Sequence, residues 1–542
     1  MLSDDILLTL FCHYLNASPG FWPTLVGVCQ RWQHIICSFP QGLNLRFYCT
    51  YGTPVLKTLD FWPAVKLPIV VQYGGIPNLN PPAPKEYDNI VAALKQSGRV
   101  ISLSLTITSA LLEKVSAISE PFSELEELSL LSQDSTLATL PSTFRWGPRL
   151  RTLHSTRIAF PSFPQLLSTS RDLVYLRLHE IPSAGYISPE AFANALSGMT
   201  QLRKLSLHFL SLPPRRTYLR LPPQSGERVV LPSLTCFKYR GTSKYLDNLM
   251  ARIDAPRLGN IDITLFFQPT MDASELGQFI GRTEMLTSLS EANVETTLDA
   301  IFISLTDSRT STPLQIQIAC EQLDWQLSSM AQVCERFSPF LFRVNTLSIR
   351  TIRSSIEQGD VDGEQWLELI RSFGGARDFR VGEGLETDIL CALGQADATV
   401  LPSLRNLYVD NPTLKEPSWG ALLSFTTSRF FSSYPIQTNV ALIRCSICNI
   451  HFTRRQGQKN YFFYTHHVND ACRTMCTYCA HRNPGPGHKI GGSQRRFWTY
   501  LDRSQCRFCS VSNLCFCPEI GENRRKALIT PITPFVGLRS RS

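Results

Sequence analysis

Leu7, Leu10, Phe11 and Tyr14 fall at i, i+3, i+4 and i+7, so the chain opens with a helix that is apolar along one face. Ser3 can cap that helix, and Asp4 and Asp5 place negative charge at its start, where the helix dipole favours it. Ser18-Pro19-Gly20 breaks it. Trp22, Leu25, Val28, Cys29, Trp32 and Ile36 then predict a second helical stripe, rich in aromatic side chains. A module of about 40 residues hides too little surface to cover two tryptophans and these aliphatics. Part of the stripe must therefore pack on the rest of the chain or on a partner.

Beyond this start the period changes from helix to strand. Leu43 to Phe47 alternates, Leu67 to Tyr73 is a strand-like run, and residues 74–84, with two Gly and four Pro, read as a connector. An apolar-x-x-apolar-x-apolar motif then recurs at Leu125, Leu128, Leu130; Leu173, Leu176, Leu178; Leu202, Leu205, Leu207; Leu234, Phe237, Tyr239; and Leu258, Ile261, Ile263. A partial copy is Leu150 and Leu153, and later copies are Val344, Leu347, Ile349 and Leu404, Leu407, Val409. From Leu125 to Leu258 the copies step by 25, 23, 29, 32 and 24 residues. Those steps straddle the length of a leucine-rich repeat, a strand-plus-helix unit.

The expected fold is therefore α/β. It has a helical module over 1–40, a connecting segment over 41–84, an irregular leucine-rich-repeat solenoid over 85–435, and a distinct tail over 436–542. The same motif could mark ordinary strands of a general α/β domain, but five copies in succession favour the solenoid. Pro189 to Leu196 and Lys244 to Arg252 read as helices of its outer layer. Gly374-Gly375 reads as a helix C-cap. No consistent Asn follows the strand motif, so the backbone groups at those turns need partners other than a side-chain ladder. Binding residues would lie on polar positions or loops, with Glu190 to Ser197 and the Arg215-Arg216 loop as candidates.

Catalytic signatures are absent from this region. It has no Gly-x-x-x-x-Gly-Lys loop, no His-Glu-x-x-His and no Gly-x-Ser-x-Gly elbow, and Glu126-Glu127 reads as a solvated face. The expectation is a protein that is not an enzyme and requires no cofactor. No run approaches the length of a membrane span, and the two acids before Ile6 stand where a signal peptide carries positive charge. No membrane partner is expected, and the chain reads as cytoplasmic or nuclear, where its 17 cysteines would be thiols or metal ligands.

Charge divides the chain. Of the net +9, residues 444–542 carry +12 and the first 443 carry −3. The same tail holds nine of the 17 cysteines and five of the ten histidines.

The opening residues carry a resemblance. Leu2-Ser3-Asp4-Asp5-Ile6-Leu7-Leu8-Thr9-Leu10-Phe11, followed by Leu25-Val26-Gly27-Val28-Cys29-Gln30-Arg31-Trp32-Gln33-His34-Ile35-Ile36, resembles the F-box, with Ser3 in place of the usual proline. Leu59-Asp60-Phe61-Trp62-Pro63, after Gly52-Thr53-Pro54, is similar to fungal F-box proteins with degenerate leucine-rich repeats. The resemblance implies a substrate-recognition subunit of a cullin ubiquitin ligase. Its N-terminal helices would dock on a Skp-type adaptor, and the repeats would select a target protein. Carried onto this chain, the adaptor-binding positions are Leu2, Ile6, Leu7, Leu10, Phe11, Val28, Cys29, Trp32 and Ile35. A leucine-rich scaffold outside any ligase is the alternative.

The tail leaves readings open. Cys445-x2-Cys448 with Cys476-x2-Cys479 could close one structural zinc site, and Cys506, Cys509, Cys515 and Cys517 a second. Structural zinc is the one cofactor the chain suggests. With the +12 charge and Tyr461, Phe462, Phe463, Tyr464, Phe497 and Trp498, such a module would suit nucleic acid. A disordered basic tail, or translation outside the natural reading frame, accounts equally for its composition.

Overall fold

The computed structural model describes residues 2–442 apart from 51–54, 56–66, 74–83, 119, 134–137, 141–143, 161–162, 212–227, 287, 308–309, 353–361, 383, 398, 411–415 and 432–439, together with 452–453. It is a mixed α/β structure around one large, mostly parallel sheet of 17 strands. Nine strands follow one another in chain order as parallel neighbours. They are β1 (Phe47–Cys49), β2 (Ile69–Tyr73), β3 (Val100–Ile107), β4 (Glu127–Ser132), β5 (Thr152–Thr156), β6 (Tyr175–Ile181), β7 (Lys204–Phe209), β8 (Cys236–Gly241) and β9 (Asn260–Phe266). The first two lie within the segment read as a connector.

Every leucine of the repeated motif is buried, and the copies stand in register. Leu128 faces Leu153, Leu153 faces Leu176, Leu176 faces Leu205, Leu205 faces Phe237, and Phe237 faces Ile261. Period-two alternation sends these residues into the core with the helices, and leaves the intervening positions on the opposite face.

The turns before the strands solve the backbone problem without asparagine. In the complete copies read from the sequence the first apolar residue donates its N–H to the carbonyl three residues earlier, as in Leu173 to Ser170 (3.3 Å), Leu202 to Met199 (3.2 Å) and Leu258 to Ala255 (3.1 Å). At the strand entry one carbonyl then accepts two N–H groups from the next repeat. Glu126 O takes Arg151 N (2.8 Å) and Thr152 N (3.0 Å), and Arg151 O takes Val174 N (2.8 Å) and Tyr175 N (3.0 Å). The same doubled acceptor recurs at Val174, Arg203, Thr235, Ser290, Asn345 and Arg377.

The gap between the copies at Leu258 and Val344 is filled by an antiparallel meander. β10 (Glu291–Thr296), β11 (Ala300–Asp307) and β12 (Thr310–Ala319) fold back so that β12 pairs with β9 and β10 pairs with β13 (Thr346–Thr351), both in parallel. The parallel series resumes with β14 (Asp378–Val381), β15 (Asn406–Val409) and β16 (Val440–Leu442), and β17 (Phe452–Thr453) closes it antiparallel.

At the N-terminus, α1 (Asp4–Ala17) starts as expected, with Ser3 Oγ accepting from Ile6 N at 3.4 Å. The second stripe is not one helix. It splits into α2 (Trp22–Val26) and α3 (Gln30–Ser38), because Gly27 caps the first and Cys29 is extended at φ −163°. Trp22 ties this region to the sheet side of the chain. It is buried, and its indole N–H donates to Arg46 O at 2.7 Å, one residue before β1.

Gly374-Gly375 is not the C-cap of the preceding helix. The helix Gly363–Arg371 is capped by Ser372, and Gly375 is needed because the backbone of Phe342 passes against it: a Cβ there would fall on the Phe342 carbonyl oxygen. Gly259, by contrast, has nothing within 4 Å of a Cβ position. Gly375→Ala should therefore destabilise the fold by about 1–3 kcal/mol through backbone overlap, while Gly259→Ala stays within about 0.5 kcal/mol. Urea denaturation of the two variants side by side checks this, and equal midpoints would contradict it.

Candidate functional site

The helix α1 is apolar on two sides. Leu7, Phe11 and Leu15 point into the core, while Ile6, Leu10 and Tyr14 form an outer stripe at i, i+4 and i+8 with exposures of 48%, 51% and 45%. Leu2, Phe21 and Val28 add exposed apolar surface from α1's start and the α2 region. The α1–α3 pairing is held by the Arg31–Asp4 ion pair, in which Arg31 Nε donates to Asp4 Oδ1 at 2.9 Å, and by Arg31 Nη2 donating to Leu2 O at 2.7 Å.

The residues carried over from the F-box resemblance divide accordingly. Leu2, Ile6, Leu10, Val28 and Cys29 are exposed. Leu7, Phe11 and Ile35 are buried within the chain, and Trp32 is half-buried with its ring edge-on to Phe11 at 4.8 Å. The buried group shapes the helices, and only the exposed group is available to a partner. Tyr14 and Phe21 are also exposed and are not among the positions carried over from the resemblance, although Tyr14 continues the i, i+4 series from Ile6 and Leu10.

A second surface lies on the strand face turned away from the core. Lateral register places His154 beside Arg177, Arg177 beside Ser206 and Ser206 beside Lys238, across β5 to β8. One pleat further along, His208 is beside Arg240, and the rings of His179 and His208 stack at 3.9 Å. Arg177, Lys204, Lys238 and Arg240 are all exposed. Lys238 pairs with Asp262 at 2.9 Å on β9. Among the described residues the other three have no carboxylate partner: Arg177 donates to His179 Nε2 at 2.8 Å, Lys204 lies over the Tyr175 ring and Arg240 over the Phe266 ring.

Burial first, and these cations after it, hold the histidines neutral. Burial, then His208, Arg177, His154 and Lys238, push His179 down to about 3. Burial and Arg177, with Arg240 and Lys238 and against Asp262, push His208 down to about 4. His154 is lowered by burial and Arg177, with Glu127 opposing. The geometry agrees, because a His179 Nε2 that accepts from a guanidinium carries no proton.

Sequence reasoning missed this patch, since the first 443 residues are nearly neutral in sum. The signal lies in the x positions of the repeated motif. They supply Tyr175 and Arg177 in one copy, Lys204 and Ser206 in the next, and Cys236 and Lys238 in the third. Of the loop candidates, Glu190 to Ser197 falls mostly in the helix Pro189–Leu196, and Arg215-Arg216 lies outside the described residues. Cys445, Cys448, Cys476, Cys479, Cys506, Cys509, Cys515 and Cys517 also lie outside them. Among the described residues no group of His, Cys, Asp or Glu is placed to hold a metal ion, and no helix is long and apolar enough to cross a membrane.

No family model matches the sequence, and no curated protein matches it. Among solved structures, the leucine-rich repeat-containing protein LegL7 from Legionella pneumophila is similar at 11% identity, over 71% of this chain and 98% of that one, with a TM-score of 0.25. A superposition that loose assigns neither a family nor an activity, and it carries no evidence for an F-box.

The neutral histidines carry a pH signature. In the unfolded chain they protonate below about 6.5, whereas His179 and His208 stay neutral in the fold to about 3 and about 4. The unfolded state therefore binds more protons between pH of about 6.5 and about 4, so stability falls as pH falls through that window. Asp247, raised to about 6 by burial, acts in the opposite sense. Comparing His179→Gln/His208→Gln with wild type separates the two. The loss of melting temperature between pH of about 7 and about 5 should be smaller in the variant, and parallel curves would refute the assignment.

Proposed function

We propose that this protein is a non-enzymatic interaction subunit, acting in the cytoplasm or nucleus, that couples two partners through two surfaces. The outer stripe of α1 docks on a Skp-type adaptor of a cullin ubiquitin ligase, and the repeat solenoid receives a target protein on its strand face. Other subunits transfer ubiquitin. The observation that carries this reading is the stripe Ile6, Leu10 and Tyr14, exposed on a helix whose opposite side is already filled by the chain's own core. A helix in water needs one apolar side, and a second apolar side is explained by a second partner. Burying each large side chain contributes about 1.5–3 kcal/mol, so three or four such residues suffice for a specific contact.

The same geometry sets the right variants. Ile6→Asp/Leu10→Asp changes only exposed positions and should leave circular dichroism and the melting temperature unchanged. Phe11 and Trp32 pack on each other, so truncating them would disturb the helices themselves. Co-expression of the full chain with a Skp-type adaptor should recover the pair at equal stoichiometry from wild type, and lose the adaptor from the folded double variant. A wild-type chain that recovers no adaptor would sink the ligase reading and leave a scaffold outside any ligase, and a double variant that retains the adaptor would refute the stripe as the docking site.

A further inference from the structure

We propose that the strand face over β5 to β8 binds an extended acidic segment of a partner protein, taking its carboxylates on Arg177, Lys204 and Arg240. This deepens the reading of the strand face as the target surface, and rests on it, by naming the chemistry of the target.

Charge complementarity carries the proposal. Three exposed cations on three adjacent strands have no carboxylate partner among the described residues, and a fourth, Lys238, has one in Asp262. Tyr175 and Phe266 lie beside Lys204 and Arg240, so each exposed cation rests over a ring on the strand face. The stacked pair His179 and His208 and the Ser206 hydroxyl, 2.9 Å from His179 Nε2, add hydrogen-bonding groups between the cations without adding negative charge.

The spacing selects the kind of anion. Arg177 and Arg240 are two strands and two residues apart in register, roughly 12 Å between backbone positions, and Lys204 is roughly 8 Å from Arg177 on the other side. Lys204 leans over Tyr175 on β6 and Arg240 over Phe266 on β9, so the charges are spread across the sheet and not gathered on one phosphoryl group. A peptide with several Asp or Glu side chains spans them, and lies on a surface whose pleat already presents rows of side chains at strand spacing.

The test is fluorescence anisotropy of a labelled, Glu/Asp-rich, unphosphorylated peptide titrated with the full chain. The basic residues after Arg444 attract the same peptide, so the readout is the ratio between wild type and Lys204→Gln/Arg240→Gln. Both substitutions are at exposed positions, and Arg177→Gln serves as a second variant should the pair lower the melting temperature. Arg380→Gln, an exposed cation over Tyr408 on β14 of the same sheet, is the control.

The expected result is a Kd about tenfold weaker in the double variant, a wild-type Kd that weakens as salt rises from about 50 to about 300 mM, and no change in the control. Equal Kd values in wild type and the folded variants overturn the proposal. So does a single-stranded oligonucleotide that binds more tightly than the peptide with the same dependence on the variants. A chain that recovers the adaptor but shows no patch-dependent peptide binding sinks this inference alone. A chain that binds the peptide through the patch and recovers no adaptor sinks only the ligase reading.

Discussion

The doubled carbonyl acceptor at the strand entries is the constraint on which the rest of the structure depends. A parallel sheet built from successive repeats must satisfy the backbone where each turn becomes a strand, and this chain lacks a regular side chain to do it. Glu126, Arg151, Val174, Arg203 and Thr235 each offer one carbonyl to two N–H groups of the following repeat. The bond requires no particular side chain, which is why residues as different as glutamate, valine and threonine occupy the position. It does require one register, and that register stacks leucine on leucine through the core.

Fixed register then acts on the other face. Once Leu176, Leu205 and Phe237 are aligned inside, Arg177, Ser206 and Lys238 are aligned outside, because side chains alternate along every strand. Cations far apart in sequence become neighbours, and partial burial, reinforced by their field, keeps the histidines between them neutral. The layout of the outer cations and the state of the histidines are thus tied to the same backbone ladder as the core. The meander β10 to β12 keeps that ladder continuous: β12 and β10 present parallel edges to β9 and β13, so the insertion reverses the chain twice without interrupting the sheet.

The N-terminal helices join this body through Trp22 and the apolar residues ahead of β1, while the outer side of α1 stays uncovered. The protein therefore offers two surfaces of opposite character. One is apolar, on a short helical segment; the other is cationic, on a broad strand face.

The amino-acid sequence by itself determined the period of the repeats, the start of α1 at Ser3, the helix Pro189–Leu196, and which leucines are core, since these follow from local spacing and capping. It also pointed to the opening helices as a contact region, but periodicity alone could not say which of Leu7, Ile6, Phe11 and Leu10 face inward, because both sides of the helix are apolar. Copies with small residues were hidden: Leu289, Ala292 and Val294, and again Ala376, Phe379 and Val381, keep the motif's spacing and are fully packed, yet alanine carries little hydrophobic signal. Only the tertiary structure decided the order of β9, β12, β11, β10 and β13, the close pass of Phe342 at Gly375, and the gathering of Arg177, Lys204 and Arg240 on one face. Each depends on which strands lie side by side, and that is fixed by hydrogen bonds between residues tens of positions apart, not by the spacing of neighbours along the chain.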